Sequence, residues 1–310
     1  MHTAPSIRYI QRSAINATAW DASIAAAPNG MPYHYYCYLD TLCPRWDALV
    51  LNNYEAVMPL PWRRAWGISY LYQPAFLPQC GIIGPAPVTA AMAGDFLREL
   101  GRHFRYGTYT FNEGNPALPQ AGGQWRQRTN YLLPLTEDAP TLQASFNRDA
   151  AKNIRQARKA GLQLTETLDP SLLVELFRES YGSLNPSVGN RDYEALLRWF
   201  RQRSSLPETV CYGIRDPKGD WMGAGAFLKD KRRLTYILGA PSAAGRKHNA
   251  IYFLLSEVVN RFAGTGMVFD FEGSDIPSVA QFYAKFGPQA IAYPEWHFNR
   301  LPWPLRLLKQ

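Results

Sequence analysis

Two carboxylates and a tyrosine stand close together in two neighbouring segments, Phe269-Asp270-Phe271-Glu272-Gly273 and Gln281-Phe282-Tyr283-Ala284-Lys285-Phe286-Gly287. Side chains alternate along a strand, so Asp270 and Glu272 share one face, with Phe269 and Phe271 on the other. A carboxylate at a strand end can take a proton from an amine. It can equally accept backbone or arginine hydrogen bonds and simply orient a loop. Tyr283 can return a proton to a departing thiolate, because phenol and thiol titrate within about two pH units of each other. The plainer reading is a core aromatic with its hydroxyl at the surface.

Upstream, residues 234–251 run from an apolar strand through a small-residue loop into a helix. Unpaired N–H groups and the helix dipole suit a phosphate or carboxylate there, and Arg246, Lys247 and His248 add positive charge. The alternative is a solvated loop with Asn249 as N-cap. A second basic feature is the helix expected over 141–160. Arg148, Lys152, Arg155 and Lys159 fall on one face, opposite a stripe of Phe146, Ala150, Ile154 and Ala157. Such a face suits the phosphates of tRNA or of a lipid-linked precursor, or it is a solvated amphipathic surface. No two histidines have metal-ligand spacing, and no Gly-x-Ser-x-Gly elbow, Walker loop or dinucleotide glycine fingerprint is present.

These residues need a frame. The 310 residues correspond to about two domains. With 46% hydrophobic and 19% charged residues, the chain is neither disordered nor a disulfide-stapled miniprotein. No stretch of about 18 uncharged apolar residues occurs, which argues against a membrane-embedded protein. The first residues lack the basic-then-apolar layout of a secretory signal, and Cys37, Cys43, Cys80 and Cys211 read as reduced thiols, so a cytoplasmic protein is expected. The net charge of +8 is compatible with nucleic acid, an anionic membrane surface or a phosphate-bearing cofactor.

Hairpins are expected at 46–61 and 209–229. Each is followed by a strand (68–72; 234–239), a crossover with a helix (90–104; 250–264) and a closing strand (106–113; 267–271). Further helices are expected at 14–27, 170–181, 191–203 and 277–286, and further strands at 6–10, 130–135 and 162–168. The two halves therefore read as one mixed α/β unit used twice, with a helix crossing between parallel neighbours. The expected domains are 1–135 and 136–310.

Strand, loop-to-helix crossover, strand and a helix ending Phe282-Tyr283-Ala284-Lys285-Phe286-Gly287 resemble the C-terminal half of the GNAT acyltransferase fold. The segment 269–273, with the basic helix before it, is more specifically similar to the Fem-type branch. Those proteins carry two GNAT-like domains and append amino acids from aminoacyl-tRNA to peptidoglycan precursors. The likeness is good over 145–290 and topological only over 1–130. It implies an α/β fold with a mixed sheet, built as tandem acyl-CoA N-acyltransferase domains. It also implies that Tyr236, Leu238 and Gly239 pair with the pantetheine arm of an acyl-CoA, and that Gly245, Arg246, Lys247, Asn249 and Ala250 hold its pyrophosphate. Tyr283 aligns with the tyrosine that protonates the departing thiolate. Two positions depart from the pattern: Asn249 stands where the phosphate signature has its central glycine, and Ile276 replaces the asparagine seven residues before the tyrosine.

The leading expectation is an N-acyltransferase. Glu272 or Asp270 accepts the amine proton, Tyr283 acts as acid, and N–H groups near Leu238 and Gly239 stabilise the oxyanion. The acceptor is a small-molecule amine or a peptidoglycan precursor, and no metal is expected. Two alternatives stand beside it. One is a Fem-like transferase using aminoacyl-tRNA held by Arg148, Lys152 and Arg155. The other is a catalytically silent GNAT-like binding module.

Overall fold

The computed structural model describes residues 6–166, 169–182, 188–202, 207–273, 276–303 and 306. Residues 183–187, between the helices expected at 170–181 and 191–203, fall outside them. So do residues 167 and 168 of the strand expected at 162–168, residue 203 of the helix expected at 191–203, and Ser274 and Asp275. Two compact units form, one from residues 1–129 with 292–310 and the other from residues 130–291.

In unit 1 the elements are β1 (Ile7–Gln11), α1 (Ala17–Ala26), α2 (Tyr36–Leu42), β2 (Trp46–Leu51), β3 (Ala56–Ala65), β4 (Ile68–Leu71), α3 (Ala90–His103) and β5 (Tyr106–Thr110). The strands β1 to β4 pair antiparallel in sequence order, and β4 meets β5 in parallel at Leu71 and Gly107. A parallel neighbour requires a crossover, which α3 supplies. Its buried positions Ala93, Phe96, Leu97 and Leu100 recur at helical spacing, and Thr89 caps its start. The aromatic tract after residue 32 is buried: Tyr33, Tyr38 and Trp46 join Trp20, whose ring meets Trp46 edge-on at 5.2 Å.

Strand β6 (Gln124–Pro134) carries the chain from one unit into the other. Unit 2 then contains α4 (Ala139–Ala144), α5 (Arg148–Lys159), β7 (Gln163–Thr165), α6 (Pro170–Tyr181), α7 (Asn190–Arg201), β8 (Glu208–Arg215), β9 (Trp221–Lys229), β10 (Arg233–Pro241), α8 (Ala243–Lys247), α9 (Ala250–Phe262), β11 (Val268–Asp270) and α10 (Pro277–Ala284). Its strand order is β6-β11-β10-β9-β8-β7, with β10 and β11 parallel and the other pairs antiparallel. The core lies where α5 and α9 cover one sheet face, around Phe227, Phe253, Leu254, Phe269, Phe271 and Phe286.

Three elements differ from the sequence reading. The helix expected over 141–160 is broken after Ala144, because the Asn147 side chain accepts from the Ala150 amide at 2.8 Å and starts α5 afresh. A short helix, α8, fills the loop after β10. A last strand, β12 (Gln289–Asn299), has no counterpart in that reading, since Pro294 within it argues against a strand. The second half of β12 pairs antiparallel with β5, from Glu295 with Thr110 to Asn299 with Tyr106. Residues 292–310 therefore cluster with unit 1, whereas a cut at 135 assigns them to the second domain.

Candidate active site

Pairing between β10 and β11 covers only Arg233 with Val268, Leu234 with Phe269 and Thr235 with Asp270. Beyond it β11 ends while β10 continues to Pro241, so two parallel neighbours part company. At that point β10 shifts register against β9 between Tyr236 and Leu238. A bulge re-aims side chains and twists the strand locally. The gap is a cleft of about 600 Å³, and 236–239 of β10 form one wall. The end of α8, the start of α9, the end of α6 and α10 form the others.

Most of the expected site residues meet here. Tyr236, Leu238, Gly239, Gly245, Arg246, Asn249, Ala250, Glu272 and Tyr283 all line the cleft. Lys247 is exposed and does not. Asp270 is wholly buried beneath it: Arg233 donates to one oxygen at 2.6 Å, and the Glu272 amide donates to the other at 2.8 Å. That places Asp270 as a group that holds Glu272. Arg148, Lys152 and Arg155 are exposed along α5, away from the lining. Two side chains of α5 reach residues of the cleft wall: Gln156 Oε1 accepts from the Asn249 side-chain amide at 3.1 Å, and Asp149 accepts from the Tyr252 hydroxyl at 3.4 Å.

Glu272 sits at φ 58°, a left-handed conformation that an ordinary side chain adopts at a cost. Its Oε1 is shut away from solvent with no hydrogen-bond partner. Burial first, then the nearby Asp270 charge, pushes its carboxyl well above the usual range, against the opposing pull of Arg233. Tyr283 packs on Phe271 at 5.5 Å and edge-on to Tyr236 at 6.3 Å. Burial, and next the charge of Glu272, raises its phenol pKa, so the proton stays on. The cleft thus presents a carboxylate made more basic beside a phenol kept protonated.

The phosphate-loop position that departs from glycine has a physical explanation. Asn249 adopts φ 58° and ψ 35°, the left-handed conformation that glycine supplies most easily and asparagine tolerates better than other residues. It holds the N-cap position of α9, as expected, but its side chain makes no capping bond. The first-turn N–H groups of α9 are therefore not capped by it, and Asn249, Ala250 and Ile251 line the cleft beside Arg246. Two glycines allow the close packing behind this wall. A Cβ on Gly239 would collide with the Tyr236 hydroxyl, and one on Gly245 would collide with the Met222 carbonyl oxygen. Because the second clash is with backbone, Gly245→Ala is expected to lift α8 off β9. The expected cost is about 2–3 kcal/mol, read as a lower Tm.

Sequence reasoning missed Phe177, Ser180 and Tyr181, which line the cleft from α6, and Arg233, which anchors Asp270. The i, i+4 aromatics of α6 and the basic run 231–233 were the available signals. Among the described residues no group of three or more His, Cys, Asp or Glu side chains could hold a metal.

Neither a family model nor a curated protein sequence matches the chain. Solved structures do. FemX aligns with a TM-score of 0.66 at 12% identity, over 97% of this chain and 99% of that one. L-PGS from Bacillus licheniformis aligns at 0.56 and 12%, over 94% and 95%. A tandem GNAT protein from the clavulanic acid biosynthesis pathway aligns at 0.51 and 13%, over 96% and 99%. The likeness is one of fold: this chain has a GNAT-like, Fem-type architecture.

Proposed function

We propose that this GNAT-fold chain is an N-acyltransferase whose site is the cleft of unit 2. The observation that carries the reading is the parting of β10 from β11, with Glu272 and Tyr283 facing the gap. An acyl-CoA or aminoacyl-tRNA would supply an activated acyl carbonyl there. Asn249, Ala250 and Arg246 suit its phosphate, since they offer uncapped amides and a positive charge, and 236–239 suit an extended arm.

In the proposed reaction an amine attacks the acyl carbon. The new C–N bond forms and the bond to the leaving sulfur or oxygen breaks. Glu272 takes the proton from the amine, directly or through water, and Tyr283 gives one to the leaving atom. Amides near Leu238 and Gly239 stabilise the oxyanion, and the cleft walls hold amine and carbonyl in contact. Asp270 and Arg233 position Glu272. A cytoplasmic setting goes with these donor classes, and the acceptor is a small-molecule amine or a peptidoglycan precursor.

A Fem-like use of aminoacyl-tRNA is favoured by one specific observation, the exposed Arg148, Lys152 and Arg155 on the helix that Gln156 ties to Asn249. Thermal shifts with acetyl-CoA, longer acyl-CoAs and aminoacyl-tRNA separate the donors. The true donor at about 100 times its Kd adds roughly 2.7 kcal/mol of apparent stability. If it is tRNA, reversing Arg148, Lys152 and Arg155 flattens the salt dependence of binding, by about 0.9 in slope for each phosphate no longer neutralised. Stabilisation without turnover of any acceptor points to the silent binding module, and no stabilisation by any donor overturns the reading.

A further inference from the structure

The most exposed large apolar side chains among the described residues are two tryptophans of unit 1, Trp66 at 79% and Trp303 at 78%. Strand register brings them to one end of the same sheet. Trp66 and Gly67 form the tip of the β3–β4 hairpin, just beyond the pair Ala65 and Ile68. Strand β4 runs parallel to β5 with Leu71 opposite Gly107, so the tip falls level with the residues that precede β5. Strand β12 runs antiparallel to β5 and its last pair is Asn299 with Tyr106, so the chain leaves the sheet at that same end on its way to Trp303. Two strand spacings, about 10 Å, separate β4 from β12.

The same end carries four exposed arginines. Arg63 and Arg64 lie in the last part of β3, Arg105 immediately precedes β5, and Arg300 immediately follows β12. The Arg300 amide donates to the Arg105 carbonyl at 2.6 Å, which fixes the last two side by side. The carboxylates on neighbouring elements are already engaged. Asp40 pairs with Arg12. Asp47 accepts from Tyr9, from the Arg12 amide and from the Trp62 indole, and Glu99 accepts from Arg102. The surplus charge at this end is therefore positive.

We propose that this end of unit 1 docks on an anionic lipid bilayer, with Trp66 and Trp303 at headgroup depth and the four arginines against lipid phosphates. Indole, apolar in its body and polar at its N–H, is favoured at a membrane interface, and each cation adds attraction to an anionic leaflet. A nucleic-acid site would instead line a groove with rings on which bases stack; Trp66 stands at a hairpin tip and Trp303 follows the end of β12, both largely exposed. No helix among the described residues is long and apolar enough to cross a membrane, so the association is peripheral. None of the six residues lines the cleft of unit 2, and the proposal stands apart from the acyl-transfer reading.

Co-sedimentation with phosphatidylcholine vesicles, and with vesicles in which about a third of the lipid is phosphatidylglycerol, tests it. The 310-residue chain is expected to bind only the anionic vesicles. The Trp66→Ala/Trp303→Ala variant is expected to lose roughly tenfold or more in affinity with Tm unchanged. Arg63→Gln/Arg64→Gln is expected to lose about fivefold per arginine and to bind with a shallower salt dependence. Equal binding by the tryptophan variant and the parent, or no retention on anionic vesicles, overturns the proposal. So does loss of tRNA binding by both variants with vesicle binding intact, which would assign this edge to nucleic acid.

Discussion

Tyr283→Phe is expected to lower turnover about 10²–10⁴-fold while leaving donor binding and Tm within error of the parent. Phenylalanine keeps the ring contacts to Phe271, Tyr236 and Tyr131 and removes only the hydroxyl. Because burial raises the phenol pKa, no loss of rate up to about pH 10 is expected from its ionisation. The rise of rate with pH should follow Glu272, which must be deprotonated to accept the amine proton. Its carboxyl is raised by burial and by Asp270, so the ascending limb lies above the ordinary glutamate range. Glu272→Gln should abolish that limb.

The same shift has a stability sign. A carboxyl whose pKa is higher folded than unfolded stabilises the fold when protonated, and that contribution is lost as pH rises through the folded value. Glu272→Gln should therefore raise Tm at neutral pH while reducing activity. Full turnover by Tyr283→Phe would move proton donation to another group.

Arg233→Met is expected to destabilise the chain by about 3–5 kcal/mol, visible as a fall in Tm of about 10 °C or more. Its guanidinium is nearly buried and lies 2.6 Å from a carboxylate with no solvent exposure. Taking away the cation leaves Asp270 charged in a site from which water is excluded, with the Glu272 amide still donating to it but this counter-charge gone. Replacing both residues with apolar ones should restore much of the loss, because the cost lies in the stranded charge more than in the missing bond. Activity separates the roles. Arg233 holds the carboxyl of Glu272 down, so in Arg233→Met the ascending limb of the pH–rate profile should move to higher pH. A merely structural arginine would not move it. A double variant as unstable as Arg233→Met would contradict this account.

Local periodicity made much of unit 2 legible. The apolar spacing over 250–264, the alternation at 269–272 and the glycine after Phe286 specify a helix, a strand and a helix end without reference to the rest of the chain. Tyr283 and Glu272 could be nominated because they sit at the ends of such elements. Other facts depend on distant partners. Alternation puts Asp270 and Glu272 on one face, but β11 ends at Asp270 and Glu272 turns left-handed beyond it, and only the fold shows that Arg233 engages Asp270 below the cleft. The wall from α6 is unreadable without knowing which helix packs against β10. Asn249 was legible as a departure from a glycine pattern, but its left-handed backbone, which keeps the loop's course, is not a property of composition. Strand β12 was hidden by Pro294 and by a pairing partner almost two hundred positions earlier.

That last pairing has a bearing on how the molecule is made. As the chain is synthesised, everything that builds unit 2 emerges before residue 292, whereas unit 1 waits for its final strand. Until then the flank of β5 that β12 will occupy offers unpaired backbone groups, the feature that recruits other strands and starts aggregation. Unit 1 begins first and finishes last, and a chaperone binding the nascent chain would find its longest-lived target at Tyr106–Thr110.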